Sequence, residues 1–211
     1  MNSMQRLISQ TVKRFSAGGE AHGLDGIRSA MCSLTPRDVG LLAGQPPIRR
    51  ESCGYIGVDD SPFCTICIFV LKEGAKLPIH SHPAMTGLLK VLYGRVIINS
   101  YQAPCANKTL AIGQNIRATL DSVSTLTADN EPSIVTPTTA NVHEIHALEN
   151  SAFLDVLAPP YNDEDDRSCA YFRDISLGAM VAGAARTLEV IPPPRDFWTQ
   201  PMEYEGLPLA P

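Results

Sequence analysis

Histidine is scarce in this sequence, and its placement is the first sign of chemistry. There are five: His22, His80, His82, His143 and His146. Four of them stand in two short stretches of strand-forming residues, LPIHSHPAM at 77–85 and NVHEIHAL at 141–148. Side chains alternate faces along a strand, so His80 and His82 project together, roughly 7 Å apart at Cα for a rise of about 3.3 Å per residue. Two imidazoles on one face either share something or both face water. An antiparallel sandwich or barrel can bring a third ring beside them, and three neutral imidazoles suit Fe, Cu, Ni or Zn. The third ring is His143 or His146, which lie on opposite faces of their strand. Periodicity leaves both open, since Val142 and Leu148 accompany His146 while Ile145 accompanies His143.

The elements that must position these rings are short and β-rich. Residues 4–15 read as an amphipathic helix with Leu7, Ile8, Val12 and Phe15 near one face, and TPRDVG at 35–40 reads as a helix start with Thr35 capping and Pro36 at the first helical position. From about residue 50, apolar segments separated by Gly, Pro, Asn and Asp follow one another: CGYIGV, FCTICIFVL, KLPIHSH, GLLKVLYGRVIINSY, TLAIG, NIRATL, STLTA, SIVTP, NVHEIHAL and AFLDVLAP. Such spacing predicts an all-β antiparallel sandwich or barrel and not βαβ units. Residues 1–48 are expected to form a helical extension packed on the barrel. Residues 49–211 are expected to form the barrel domain, with an acidic solvated turn at PPYNDEDDRSC and an irregular wrapping tail from 176.

Composition closes several alternatives. A net charge of −5 and a pI near 5.5 give no footprint for nucleic acid or an acidic membrane surface, and no apolar run approaches the roughly 20 residues of a membrane span. No G-x-G-x-x-G or P-loop points to an organic cofactor. The six cysteines are expected to be reduced thiols, and the Cys64-x-x-Cys67 pair reads as two buried strand residues facing opposite ways. A cytoplasmic monomer is the expectation. The acid-free first nineteen residues also permit a mitochondrial transit peptide, against which the packed helix is preferred.

The histidine spacing resembles a known motif. Jelly-roll cupins bind metal through Gly, five residues, His-x-His, four residues, Glu, six residues, Gly; here Gly74, His80, His82 and Gly94 fall in register, with Gly87 at the glutamate position. The second cupin motif is degenerate, with Pro137 one position out and Ala140 in place of a glycine. The resemblance implies a cupin-type jelly-roll barrel that keeps its histidines and has lost its carboxylate. A metal lowers the pKa of a coordinating thiol, so a thiol substrate can bring the missing negative charge. Its sulfur then supplies the electrons for O2, giving a sulfinate.

Longer motifs narrow this. LPIHSHPAMTGLLKVLYGRVIINSY, NVHEIHALENSAFLDVLAPPY and the late DFW resemble the 2-aminoethanethiol dioxygenase family, animal relatives of the plant cysteine oxidases. That resemblance implies an Fe(II) ion held by His80, His82 and His143 and no organic cofactor. It also implies O2 as co-substrate and, as thiol, either cysteamine (giving hypotaurine) or a protein N-terminal cysteine (oxygen-dependent marking for degradation). His146 then lies outside the ligand set. Ala84 departs from the family's usual glycine in HPGM. Asp155, within an apolar strand face, is expected to hold the substrate ammonium, to orient a ligand or to form a structural salt bridge. Tyr161 resembles a pocket-lining position, and Cys169 and Tyr171, two apart, are candidates to face the site. The alternatives are a cupin sensor without turnover and a cupin enzyme using another metal.

Overall fold

The computed structural model describes residues 1–16, 23–42, 48, 53–104 and 110–209, so His22, Cys105 and the boundary expected at 48/49 fall on or beside residues outside that set. Two helices, α1 (Ser3–Ser16) and α2 (Asp25–Cys32), precede twelve strands. Six strands form one sheet in the order β12-β1-β2-β9-β4-β7, namely Thr199–Met202, Cys53–Asp60, Thr65–Leu71, Ser151–Ala158, Thr86–Tyr93 and Ser133–Val135. The other six close on themselves in the order β10-β11-β6-β5-β8-β3, namely Tyr171–Asp174, Ala185–Ile191, Asn115–Thr127, Arg95–Gln102, Val142–Ala147 and Lys76–Ser81.

The first sheet is covered on both faces, which explains its continuous apolar runs. Ile66, Ile68 and Val70 of β2 and Leu154 and Val156 of β9 pack against Met4 and Leu7 of α1 and Ile27 and Met31 of α2. The residues between them, such as Phe69, Leu71 and Phe153, turn the other way into the barrel with Leu89, Val96, Ile98 and Ile145. The expected first helix is therefore a packing element, with Ile8, Val12 and Phe15 partly buried along its edge. At TPRDVG the chain makes a short 3₁₀ turn, where the Thr35 N–H donates to Asp38 Oδ2 at 2.8 Å.

Several expectations need correction. Helix α2 was not foreseen, although Leu24, Ile27 and Met31 carry helical spacing and are buried. In TLAIG, Thr109 lies outside the described residues and 110–113 form a turn, with the Gln114 N–H bonded to the Ala111 carbonyl and Ile112 exposed. NIRATL and STLTA are one continuous strand, β6, in which exposed Asp121 is the extra residue of a register slip against β5. The tail is not irregular throughout. β11 pairs with β6 and β10, and Arg186 of β11 makes a buried ion pair with Asp174 of β10 at 2.7 Å; β12 adds a parallel edge to β1.

Two alanines that stand where the resemblances expect glycine carry strain. Ala84 and Ala140 both have φ of 53°, the left-handed region in which a Cβ costs about 1–2 kcal/mol. Ala84→Gly is expected to stabilise the fold by about 0.5–1 kcal/mol, after allowing for the added freedom of the unfolded chain. Thermal unfolding checks this as a rise of about 1–3 °C in Tm.

Candidate metal centre

Strand register brings the three rings together. His80 of β3 lies directly across from His143 of β8. Just past the end of β3, the His82 N–H continues the pairing by donating to the Asn141 carbonyl at 2.8 Å. Between Leu77 and His80 the register slips, so that two residues of β3, Pro78 and Ile79, oppose Glu144 alone of β8. This bulge, at Pro78, lets both Leu77 and His80 line the same cavity, which strict alternation forbids. One ligand atom from each of His80, His82 and His143 falls within 4.8 Å of the others, and the Nε2 atoms of His82 and His143 are 3.1 Å apart. His146 points to the opposite face of β8, where its Nε2 meets Glu144 Oε2 at 2.8 Å.

The outer nitrogens hold the rings in the correct protonation form. The Pro78 carbonyl can only accept, so the 2.8 Å contact places a proton on His80 Nδ1. Tyr161 donates its hydroxyl proton to the Ser81 carbonyl at 2.8 Å, and its oxygen therefore accepts from His82 Nδ1 at 3.0 Å. Both rings are left with a bare Nε2. Burial lowers the pKa of all three histidines, and the neighbouring rings add to the effect at His82 and His143, which stay neutral well below the usual imidazole range. Two nitrogens 3.1 Å apart suit adjacent corners around an ion with bonds of about 2.1 Å, which separate such ligands by about 3 Å. The donor set fits a transition metal.

No carboxylate can join it from the motif position. A Cβ on Gly87 would come within 2.7 Å of Val135 Cγ2 and 3.1 Å of Leu157 Cδ2, so the space a glutamate stem needs is filled. Among the residues lining the cavity of about 310 Å³ that opens on the histidines, the carboxyl is that of Asp155 of β9. Asp155 is buried, burial pushes its pKa up to about 7, and among the described residues no cation pairs with it.

Residues 29–209 match the family model described as PCO_ADO. The chain belongs to that family. It is 31% identical to human 2-aminoethanethiol dioxygenase over 88% of its own length and 78% of that protein. It is 30% identical to plant cysteine oxidase 1 of Arabidopsis thaliana over 84% of its own length and 65% of that protein. Among solved structures, an RmlC-like cupin from Shewanella frigidimarina aligns over 54% of this chain and 81% of that one at 14% identity, with a TM-score of 0.40. For a PCO_ADO chain the arrangement accounts for most of the expected residues: Asp155, Tyr161, Cys169 and Tyr171 all line the cavity with the three histidines. Cys169 Sγ hydrogen-bonds with both Tyr161 and Tyr171, and burial keeps the thiol protonated by raising its pKa to about 11.

Sequence reasoning missed several lining residues, Tyr55, Cys67, Phe197 and Thr199 among them. Cys67, paired across the sheet with Asp155, turns into this PCO_ADO cavity and hydrogen-bonds Tyr55. Cys64 faces the helices, so the two cysteines do point opposite ways. Phe197 and Thr199 reach the mouth from the tail, Phe197 with its ring centroid 6.4 Å from that of Tyr171. Tyr161→Phe removes the partner that fixes the His82 tautomer. It is expected to weaken metal affinity about 10–100-fold with the fold intact, measured by competition with a chelator.

Proposed function

We propose that this thiol dioxygenase works with a single Fe(II) held by His80, His82 and His143. We further propose that it oxidises the thiol of a 2-aminothiol, either free cysteamine or the N-terminal cysteine of a peptide, to a sulfinate. The observation that carries the reading is an all-imidazole donor set beside a glycine that admits no carboxylate. The balance is RSH + O2 → RSO2H: sulfur loses four electrons, both oxygen atoms end on it, and no reductant is consumed. Bound Fe(II) supplies the Lewis acidity that ionises a thiol and the electron exchange that O2 requires, which a redox-inert ion such as zinc cannot provide.

The chain's own residues bind and orient. Asp155, ionised above about pH 7 and paired with no cation among the described residues, takes the substrate ammonium, two carbons from its sulfur. Pro78 and Tyr161 hold His80 and His82 with their Nε2 atoms inward. Phe69, Leu77, Ile145 and Leu157 make the remaining wall apolar, which keeps water from the reacting sulfur and strengthens the Asp155–ammonium attraction. A cavity of about 310 Å³ exceeds what the four non-hydrogen atoms of cysteamine fill, which favours the peptide. Oxygen uptake by iron-loaded protein tests the reading. Uptake is expected with cysteamine and with a Cys-initiated peptide, and none with the Ser-initiated peptide. Iron-loaded protein that takes up no oxygen with either thiol would refute it.

A further inference from the structure

We propose that Phe197 is a specificity-determining residue: with Tyr171 it forms an aromatic wedge that receives the second residue of a Cys-initiated peptide and favours a large apolar side chain there. This deepens the peptide reading above and rests on it.

Space around the histidines is one-sided. Across the six-stranded sheet one inward row runs Cys67, Asp155, Leu89 and Ser133, on β2, β9, β4 and β7. On the β4–β7 side of Asp155 a cavity of about 10 Å³ adjoins His82 and His143, room for a single water. The large cavity lies on the opposite side, toward Tyr55 of β1 and Thr199 of β12 in this sheet and Tyr171 of β10 in the other. A cysteine with its sulfur at the histidines and its ammonium at Asp155 has one heavy substituent left on Cα, the carbonyl. The carbonyl leaves toward Tyr171, where there is room for it. Register gives the distance: Tyr171 lies directly across from His80, one strand spacing or about 4.8 Å away, and successive Cα atoms are about 3.8 Å apart. Residue two therefore comes level with Tyr171.

What it meets there is supplied by the tail. Residues 192–198 link β11 of the closed barrel to β12 of the other sheet, and this strap turns Phe197 into the cavity. Pro192, Pro193 and Pro194 fix φ through half of it, and the Phe197 N–H donates to the Pro194 carbonyl at 3.2 Å, so the ring is held in place before substrate arrives. Its centroid is 6.4 Å from that of Tyr171, with the ring planes 54° apart. The Tyr171 hydroxyl is engaged by the Cys169 thiol, so the pair offers ring surface. Phe69 and Leu77 add to the apolar lining, and among the described residues no lysine or arginine joins it. Aromatic and branched aliphatic side chains gain from such a wedge by burying area and by edge-to-face contact. A polar side chain of similar length gives up water for no new partner.

The test compares kcat/KM of the iron-loaded full chain for two Cys-initiated heptapeptides that differ only in phenylalanine or glutamine at position two. The phenylalanine peptide is expected to lead about tenfold, chiefly through KM. In Phe197→Ala the ratio should fall below about twofold, and in Phe197→Leu, which keeps apolar bulk without the ring, to about threefold. Each ratio is read within one variant, so a general loss of activity cancels. Trp198 is 69% exposed and lies outside the cavity lining, and Trp198→Ala should keep the wild-type ratio. Equal rates for the two peptides with the wild-type chain would overturn the proposal. So would a full tenfold ratio in either Phe197 variant, or its loss in Trp198→Ala. If neither peptide is oxidised, the peptide reading itself fails. In that case the Kd values of the matching Ser-initiated heptapeptides, labelled at the C-terminus, decide the role of the wedge: a phenylalanine preference reduced in both Phe197 variants supports it, and no preference overturns it.

Discussion

Replacing His143 with alanine is expected to abolish iron binding, whereas replacing His146 with alanine is expected to leave it intact. The two rings are three residues apart on one strand, and only the first meets the His80–His82 pair, with its Nε2 3.1 Å from that of His82. His146 is committed to Glu144 on the other face. Loss of a supporting partner already costs 10–100-fold in affinity, so loss of a ligand from a set of three is expected to cost more than about 100-fold and to leave no measurable turnover. Iron content after exhaustive dialysis reads the outcome directly. His143→Gln, which keeps bulk in the buried space, guards against a loss that reflects folding alone. Retained iron in the His143 variants with loss in the His146 variant would mean that the wrong face of β8 has been assigned.

Asp155→Asn is expected to lower kcat/KM for aminothiols about 100-fold, chiefly through KM. A charged hydrogen bond in a water-poor site contributes roughly 1.5–3 kcal/mol, which spans that factor. The change keeps shape and removes charge, so it separates binding from packing. The pH dependence gives a second readout. Because burial raises the Asp155 pKa to about 7, the carboxylate that attracts the ammonium forms only as pH climbs through that value. Wild-type kcat/KM should therefore rise on its acid limb near pH 7, and that limb should flatten in the asparagine variant. Stability runs the other way: an acid raised above its unfolded value near 3.9 destabilises the fold progressively from about pH 4 to 7, a penalty the variant lacks. Unchanged KM and an unchanged acid limb in Asp155→Asn would remove the ammonium role.

Much of this was legible because alternation is a strict rule within a strand. His80 and His82 share a face, Asp155 sits in an inward apolar face between Phe153 and Leu157, and Cys64 and Cys67 diverge, each as period two requires. What escaped depended on partners that sequence does not name. The register slip at Pro78 exists only in the pairing of β3 with β8. Cys67 reads as a small hydrophobe until its cross-strand neighbour is known to be Asp155. The tail reads as irregular because prolines, Pro192 to Pro194 above all, interrupt it, yet Phe197 and Thr199 line the cavity from there. The choice between His143 and His146 came from family resemblance, since both faces of β8 carry apolar neighbours and period two alone cannot rank them.

This cavity is proposed to place both atoms of O2 on the sulfur of an aminothiol. Mass spectrometry of a Cys-initiated peptide after incubation with iron-loaded protein under ¹⁸O-labelled O2 measures that directly. The account predicts a product heavier by two labelled oxygen atoms, dependent on iron and absent with the His143 variants. A disulfide as the only product, a single labelled oxygen, or unmodified peptide in the presence of bound iron would contradict it.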